Sequence, residues 1–362
     1  MRVLVTGGAG FVGSHIVDAL VELGAKVRVL DSLHPAAHAS EPGYLNARAD
    51  YVWGDVRNEA LVTRLLRGVD AVSHQAALVG LGVDPTDVVE YASVNDLGTA
   101  VLLRALWRSG FRGRLVLASS MVVYGEGRYR CATHGVVRPG PRENADLARG
   151  RFEPPCPSCA EALVPEEVPE EAPLDPRNVY AATKVHQEHL CAAVAREAGF
   201  PFVALRYHNV YGPRMPSDTP YAGVASLFRS ALAEGKPPRV FEDGGQRRDF
   251  VHVHDVARAN VLAVSLDPPP EGAFNVASGW PHTVGEMAHA LASAFGPGHP
   301  GPIVTGEYRL GDVRHVFASI ARIQERMGFV PAMRFEQGMR AFAGDQARAP
   351  VGWEVAHNRN RV

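Results

Sequence analysis

A tyrosine and a lysine that could exchange protons with a ligand stand four positions apart, in the segment Tyr180-Ala181-Ala182-Thr183-Lys184. Side chains at that spacing share one face of an α-helix, so the phenol and the ammonium would be neighbours. A phenol with its ordinary pKa of about 10 is a poor base at neutral pH, but a nearby positive charge favours the phenolate. Tyr180 is therefore a candidate acid and base, with Lys184 as its partner. The same spacing is common on helix surfaces, so the pair alone does not establish a site.

A serine is the natural third member of this group. Ser119-Ser120 follows an apolar strand predicted over Arg114–Ala118. In sheets of parallel strands, ligands bind at the carboxyl edge, where such a residue would lie. Ser120 could hydrogen-bond a substrate oxygen and hold it near Tyr180.

Glycines at the first strand-to-helix junction predict a dinucleotide site. Gly8, Gly10 and Gly13 match G-x-G-x-x-G, and Gly7, Gly10 and Gly13 match the looser G-x-x-G-x-x-G. The pattern by itself is weak, but here it lies between a predicted strand and a predicted helix, where backbone amides can approach a pyrophosphate. The candidate contacts of this turn are Gly7, Gly10, Phe11, Val12 and Gly13.

Two aspartates could complete that site. Asp31 ends the second predicted strand, where a carboxylate can accept hydrogen bonds from the ribose hydroxyls. Its charge would repel a 2′-phosphate, and Ser32 and Leu33 provide no arginine to hold one, so NAD is favoured over NADP. Asp55 could lie near the adenine amine or could cap the helix that begins near Glu59, and the two roles are compatible.

The elements around these residues alternate between strand and helix, which predicts an α/β protein. The expected architecture is a Rossmann-type doubly wound parallel sheet with a smaller C-terminal mixed α/β region. Residues 1–212 would form the NAD-binding domain with an insert at 126–177, residues 213–350 the substrate region with a return to the first domain near 250–265, and residues 351–362 a tail. The predicted strands are Arg2–Thr6, Lys26–Leu30, Asp50–Trp53, Ala71–His74, Arg114–Ala118 and Phe202–Arg206, and the predicted helices cover about Phe11–Leu23, Glu59–Arg67, Val88–Ser109 and Val179–Ala198.

Composition narrows the class of partner. The 362 residues are 46% hydrophobic and 21% charged with a net charge of −2, so we expect a globular protein without the basic surface that nucleic acid or an anionic membrane requires. A strand is predicted from the first residues and no apolar run is long enough to span a membrane, so a cytoplasmic location is expected. Partners should be small molecules or copies of the same chain.

Taken in order, the motifs resemble those of the extended short-chain dehydrogenase/reductases, in the nucleotide-sugar epimerase/dehydratase group. The matching segments are Thr6–Gly13, Asp31, Gly54-Asp55-Val56, His74-Gln75-Ala76-Ala77, Asn95-Asp96-Leu97-Gly98-Thr99, Ala118–Gly125, Tyr180–Lys184, Leu205–Pro213 and Arg248–Val253. They cover nearly the whole chain apart from the insert and the tail.

This resemblance implies roles for individual residues. Ser120, Tyr180 and Lys184 would be catalytic, with a bound nicotinamide adding to the positive charge near the phenol. The resemblance also implies a homodimer that pairs the two long helices Val88–Ser109 and Val179–Ala198. Val56, Ala76, Ala77 and Asn95 would join the cofactor site, while Asn209, Arg248, Arg309 and Tyr221 would contact the nucleotide-diphosphate sugar, the two arginines by clamping its phosphates.

One departure from the family pattern narrows the expected reaction. Members that eliminate water from C5 and C6 resemble one another in an acidic pair just after the catalytic hydroxyl, and the sugar-acid decarboxylases carry a glutamate nearby. This chain has Met121-Val122 at that place. The resemblance therefore implies a 4-epimerase that oxidises and re-reduces C4, on a dTDP-linked 6-deoxyhexose. A 4-ketoreductase or 4,6-dehydratase of the same family and a non-catalytic dinucleotide-sensing module are the alternatives.

The insert carries two pairs of metal-binding residue types. Cys131 and His134 form one pair and Cys156 and Cys159 the other, each with two residues between, and this spacing matches a structural zinc site. The insert is otherwise poor in apolar residues, so a metal would supply folding free energy. A loop with unrelated cysteines is the alternative. Family members acting on dTDP-linked 6-deoxy sugars carry a similar insert, and this resemblance strengthens the zinc interpretation. Cys191 is expected to be an ordinary buried thiol.

Overall fold

The computed structural model describes residues 1–35, 37–38, 40–80, 85–217 and 223–345. The strands are β1 (Arg2–Thr6), β2 (Lys26–Asp31), β3 (Asp50–Trp53), β4 (Ala71–His74), β5 (Arg114–Ser120), β6 (Arg128–Cys131), β7 (Gly135–Val137), β8 (Val164–Glu166), β9 (Phe202–Tyr207), β10 (Asn209–Tyr211), β11 (Arg239–Val240), β12 (Arg247–His252), β13 (Gly272–Val276), β14 (Pro281–Thr283), β15 (Ile303–Val304) and β16 (His315–Val316). The α-helices are α1 (Phe11–Glu22), α2 (Glu59–Leu65), α3 (Val88–Tyr91), α4 (Gly98–Arg108), α5 (Asn144–Leu147), α6 (Val179–Ala198), α7 (Val224–Ala233), α8 (Val253–Ser265), α9 (Val284–Phe295), α10 (Ala321–Met327) and α11 (Phe335–Gly344).

Seven parallel strands form the central sheet, in the order β13-β9-β5-β4-β1-β2-β3. The inner strands are almost wholly buried, as expected when helices cover both faces of a parallel sheet. The strand order reverses between β1 and β4, which creates a crevice at the carboxyl edge where ligands of doubly wound folds bind. The predicted fold class is confirmed.

Helices pack on both faces of this sheet. On one face, α1 and α8 contact each other and enclose a core that includes Ile16, Leu20 and Val256. On the other face, α2, α4 and α6 enclose a second core. Among the described residues, no helix is both long enough and apolar enough to cross a membrane.

The long helix predicted over Val88–Ser109 is continuous but not uniform. It runs from α3 through a π-helical turn at Ala92–Leu97 into α4. Such turns occur often at functional sites because they re-aim side chains within a helix. Here the turn carries Asn95, one of the residues predicted to bind the cofactor.

The insert forms a small antiparallel sheet of its own, in the order β7-β6-β8. Its core consists of Tyr129, Cys131, Cys156 and Leu163. This core is small, as the composition of the insert predicts.

The described residues after 212 contribute to two parts of the structure, a smaller C-terminal region and the central sheet with its helices. A second sheet joins β10, β12, β14 and β16, and a third core lies among α7, α9 and α11. The chain also returns to the central layer, where α8 packs on α1 and β13 pairs with β9 as the edge strand of the central sheet. This return continues to Val276, past the range near 250–265 that the sequence predicts. The predicted tail at 351–362 lies outside the described residues.

Candidate active site

The turn between β1 and α1 requires glycine because its backbone segments touch. A Cβ on Gly13 would lie 2.1 Å from the Gly7 carbonyl oxygen, and Gly7 itself has a φ of +71°. Gly10 is the N-cap of α1, and no side chain caps this helix. The first helical N–H groups, at Phe11 and Val12, therefore point toward a place where phosphate oxygens can accept from them.

Asp31 lies beside this turn. Its carboxylate accepts hydrogen bonds from the Ala9 N–H and from the Leu33 N–H, each at 2.9 Å. These two bonds fix the carboxylate while leaving lone pairs on both oxygens for ribose hydroxyls. The geometry fits a dinucleotide whose ribose carries no 2′-phosphate.

Asp55 is not the helix cap. The cap of α2 is Asn58, whose side chain accepts from the Leu61 N–H. Asp55 is held by a bidentate pair with Arg57, at 2.9 and 2.6 Å, and these hydrogen bonds lower the pKa of Asp55. The capping role considered for Asp55 is therefore wrong. Val56, which follows it, is buried in the core of the second face.

The loop after β4 carries two more predicted cofactor residues, Ala76 and Ala77. Asn95 holds this loop, because its amide accepts from the Leu78 N–H at 2.8 Å and donates to the Leu78 carbonyl at 3.0 Å. The same amide donates to the Thr183 hydroxyl on α6 at 3.0 Å. Asn95 thus fixes the loop relative to the helix that carries Tyr180 and Lys184.

The three predicted catalytic residues come together at the carboxyl edge of the sheet. Ser120 is the last residue of β5, and the side chain of Asn178 caps α6 and so sets the start of the helix that bears the other two. The Lys184 Nζ donates to the Ala118 carbonyl at 2.8 Å and lies 5.8 Å from the centre of the Tyr180 ring.

Burial shifts the pKa values of both Tyr180 and Lys184. Desolvation raises the pKa of Tyr180 to about 12, although the hydroxyl of Ser120 opposes the change. Desolvation also lowers the pKa of the Lys184 ammonium to about 8. The lysine alone does not make the phenol acidic enough to work near neutral pH, so additional positive charge is needed beside the ring.

The predicted substrate residues lie at the same edge. Asn209 begins β10, and its buried Oδ1 accepts no hydrogen bond from the described residues. Arg248 donates to the carbonyls of Arg314, at 2.8 Å, and Val313, at 2.6 Å. The guanidinium of Arg309 lies 5.1 Å from the Phe241 ring.

Asp312 lies close to both predicted phosphate-binding arginines. Burial raises its pKa, while Arg248 and Arg309 lower it. The two arginines therefore contribute positive potential to one place, as a diphosphate clamp requires. Tyr221, the remaining predicted substrate residue, lies outside the described residues.

The four predicted metal ligands meet in the insert. The three sulfur atoms of Cys131, Cys156 and Cys159 and one ring nitrogen of His134 all lie within 4.8 Å of one another. Cys131 and Cys156 are buried, while His134 and Cys159 are exposed. Cys191 is buried on α6, as expected.

Comparison with known proteins identifies the family. Residues 3–144 and 156–277 match the family described as NAD dependent epimerase/dehydratase. The chain belongs to this family. The predicted resemblance is confirmed, and with it an NAD-dependent enzyme of the epimerase/dehydratase type.

Individual relatives align over nearly their full length. The chain is 34% identical to the dTDP-L-rhamnose 4-epimerase of Burkholderia thailandensis over 343 residues, which cover 93% of each protein. The UDP-glucose 4-epimerase of Thermus thermophilus, solved with NAD, shares 33% identity at a TM-score of 0.75, with coverage of 95% of this chain and 98% of that one. The UDP-glucose 4-epimerase of Thermotoga maritima, solved with UDP-glucose, shares 28% identity at a TM-score of 0.76, with coverage of 95% and 97%.

The sequence interpretation missed a buried ion pair behind the catalytic group. Arg206 on β9 donates to both oxygens of Glu188 on α6, at 3.0 and 2.7 Å, and the Ser119 hydroxyl donates to the same carboxylate. Glu188 lies four positions after Lys184, so the helical spacing that joins Tyr180 to Lys184 also places Glu188 on that face. The spacing could have pointed to Glu188 from the sequence alone. Its pairing with Arg206 could not be predicted, because it depends on how α6 packs against β9.

Proposed function

We propose that this protein is an NAD-dependent nucleotide-sugar 4-epimerase. The observation that carries the proposal is the convergence of Ser120, Tyr180 and Lys184 at the sheet edge beside the glycine turn. The 4-epimerases among its relatives support the same reaction.

Each catalytic side chain has a defined task. The hydroxyl of Ser120 hydrogen-bonds the oxygen on C4 of the sugar and holds it beside the phenol. Tyr180 takes the proton of this hydroxyl and later returns it. Lys184, fixed by the Ala118 carbonyl, keeps a positive charge close to the phenolate.

NAD fits the glycine turn and Asp31, and when bound it supplies a nicotinamide that accepts a hydride from C4 and gives it back. Its positive charge would add to that of Lys184 in favouring the phenolate of Tyr180. Between the two transfers, the keto sugar turns about its diphosphate linkage so that the other face of C4 is presented. The two transfers together would consume no cofactor, so the protein should need none added.

The residues after Ser120 favour epimerisation over elimination. Met121 and Val122 offer no acid or base, whereas loss of water across C5 and C6 needs a base for the proton on C5 and an acid for the departing hydroxyl of C6. Asp31 disfavours NADPH and therefore argues against a reductase that consumes it.

We place the substrate among dTDP-linked 6-deoxyhexoses. Arg248 and Arg309 would hold the diphosphate, because a guanidinium pairs well with phosphate oxygens. Asn209 would accept a hydrogen bond from a sugar hydroxyl at its unpaired Oδ1. The named activity of the Burkholderia thailandensis relative supports this class of sugar.

Cys131, His134, Cys156 and Cys159 would hold a structural zinc ion. Bonds of about 2.3 Å to sulfur and about 2.05 Å to nitrogen in a tetrahedron require edges of about 3.8 Å between sulfurs and about 3.6 Å from sulfur to nitrogen. Here the sulfurs of Cys131 and Cys159 are 3.7 Å apart, and the His134 Nδ1 lies 3.5 Å from Cys131 and 3.6 Å from Cys156. Four protein ligands leave no open position, so the ion would stabilise the insert and take no part in the reaction.

The protein would act as a cytoplasmic homodimer without nucleic acid or a membrane as partner. Several large apolar side chains are exposed along the helix that begins at α3 and ends with α4, which supports pairing of this surface with a second copy. They are Val88, Val89, Leu97 and Trp107.

The decisive experiment follows the sugar itself. The purified protein is incubated with UDP- and dTDP-linked sugars without added cofactor, and the configuration at C4 is read by NMR. We expect a C4-inverted product and release of NAD on denaturation. A 4-keto-6-deoxy product would instead assign a dehydratase, and a requirement for added NADPH would assign a reductase. Metal analysis and the molar mass in solution test the zinc and the dimer on the same sample.

A further inference from the structure

The insert holds the segment of chain that carries the proposed phosphate clamp. Glu126, at the start of the insert, accepts a hydrogen bond from the backbone N–H of Arg314. Arg142 donates to the Asp312 carbonyl at 2.7 Å. The backbones also approach closely, since a Cβ on Gly127 would lie 2.4 Å from the carbonyl oxygen of His315. The segment 312–315 is therefore fixed to the insert through its main chain.

Charged side chains reinforce the same contact. Glu153 of the insert accepts from the Arg314 Nε at 2.8 Å and from the His315 Nε2 at 2.9 Å. Glu242 forms an ion pair with Arg142 of the insert at 2.8 Å and a second one with Arg314, also at 2.8 Å. The side chains of Arg142 and Glu242 are only 4% and 2% exposed. Salt therefore screens their pair much less than it screens a surface pair.

The opposite side of this segment holds the clamp. The carbonyls of Val313 and Arg314 accept two of the hydrogen bonds that orient the Arg248 guanidinium, and the carbonyl of Arg247 accepts another. Arg309 precedes Asp312 by three residues in the same chain segment. A displacement of residues 312–315 would consequently move both arginines relative to a diphosphate.

We infer that the insert is a positioning module for diphosphate binding, in which Glu126, Arg142 and Glu153 set the placement of Arg248 and Arg309. This inference rests on the proposed function, which assigns the diphosphate to those arginines. None of the three insert residues needs to touch the substrate. Their loss should therefore weaken nucleotide binding and leave the chemistry at C4 unchanged.

Two variants of the full-length, NAD-loaded protein test the inference. Arg142→Gln removes the buried positive charge that pairs with Glu242. Glu153→Gln removes the half-exposed negative charge that pairs with Arg314 and His315. We expect each to raise the dissociation constant for UDP or dTDP, measured by calorimetry, by about tenfold, the effect of losing one charge-assisted hydrogen bond. KM should rise by the same factor while kcat and bound NAD stay near wild-type values. Arg142→Lys, which retains the charge, should recover part of the affinity.

Arg151→Gln is the matched control, because Arg151 belongs to the insert but its side chain is 71% exposed and forms its ion pair with Asp146, also of the insert. It should bind the nucleotides as the wild type does. If Arg142→Gln does not fold, Glu153→Gln carries the test. Unchanged nucleotide affinity in a folded variant, or a fall in kcat at constant KM, would overturn the inference. A wild-type protein that binds neither UDP nor dTDP would instead refute the proposed function.

Discussion

Replacing Lys184 with methionine tests how much of the acidity of Tyr180 comes from the ammonium. The Nζ atom lies 5.8 Å from the centre of the phenol ring. At an effective dielectric constant of about 20, two unit charges at this distance interact by about 3 kcal/mol. Because 1.36 kcal/mol corresponds to one pKa unit, the pKa of Tyr180 in the NAD-loaded variant should be higher than in the wild type by about 2. At neutral pH, kcat should therefore fall about a hundredfold.

The assay is the pH dependence of kcat for epimerisation, followed by NMR. In the wild type, activity rises as the phenol of Tyr180 loses its proton. Burial lowers the pKa of Lys184 to about 8, so the ammonium is present below that pH and is lost above it, and activity should fall there. The Lys184→Met variant should show its rising limb displaced to higher pH by about two units, and it should lack the falling limb. Lys236→Met, which changes an exposed lysine, is the control and should leave the profile unchanged.

A different result would refute this reasoning. If Lys184→Met lowers kcat by the same factor at every pH, with the rising limb in its wild-type position, the lysine orients the site and does not tune the phenol. Bound NAD and the melting temperature are measured in parallel, because the variant also leaves the Ala118 carbonyl without its donor.

Four further changes have defined outcomes. Tyr180→Phe removes one hydroxyl, so kcat should fall by about 10³ at unchanged NAD content, and activity near the wild-type level would exclude the proposed acid and base. Asp31→Ala should weaken NAD binding about thirtyfold, measured by fluorescence titration, and should reduce the ratio of the affinity for NAD to the affinity for NADP. Glu188→Gln breaks a buried ion pair and should reduce the free energy of unfolding, measured with urea, by about 3 kcal/mol. Removal of zinc by a chelator should make residues 126–177 susceptible to limited proteolysis while the central sheet stays resistant, and equal protection with and without metal would contradict a structural zinc site.

Local patterns predicted that Ser120, Tyr180 and Lys184 would lie close together, because a helical turn and the end of a parallel strand are enough to place them. Tyr180 and Lys184 meet through one helical turn, and Ser120 reaches them because β5 ends at the carboxyl edge. The Cys131/His134 and Cys156/Cys159 pairs were predictable for a similar reason, since the two residues of each pair are close in sequence. The bounds of α6 were also predicted correctly.

Other features depend on contacts that no local pattern specifies. Glu126 and Arg314 are 188 residues apart in the sequence, and they meet only in the folded chain. The choice between Asp55 and Asn58 as the cap of α2 could not be made from residue type, because both side chains are good caps and the backbone decides between them. The return of β13 to the central sheet was missed because its short apolar run follows a Pro-rich stretch and resembles an element of the smaller region.

The buried pair of Arg206 and Glu188 is better explained by geometry than by stability. Desolvation offsets much of the attraction between two buried charges, so such a pair contributes little net stability compared with apolar packing. Its placement is specific, however, because Glu188 is on the helix of Tyr180, while Ser119, which donates to Glu188, precedes Ser120. The pair therefore fixes α6 against β5 at the level where the phenol and the serine hydroxyl must meet. Arg206 also donates to the carbonyl of Glu170 in the insert at 2.9 Å, so the same guanidinium joins the end of the insert to the helix that carries Tyr180.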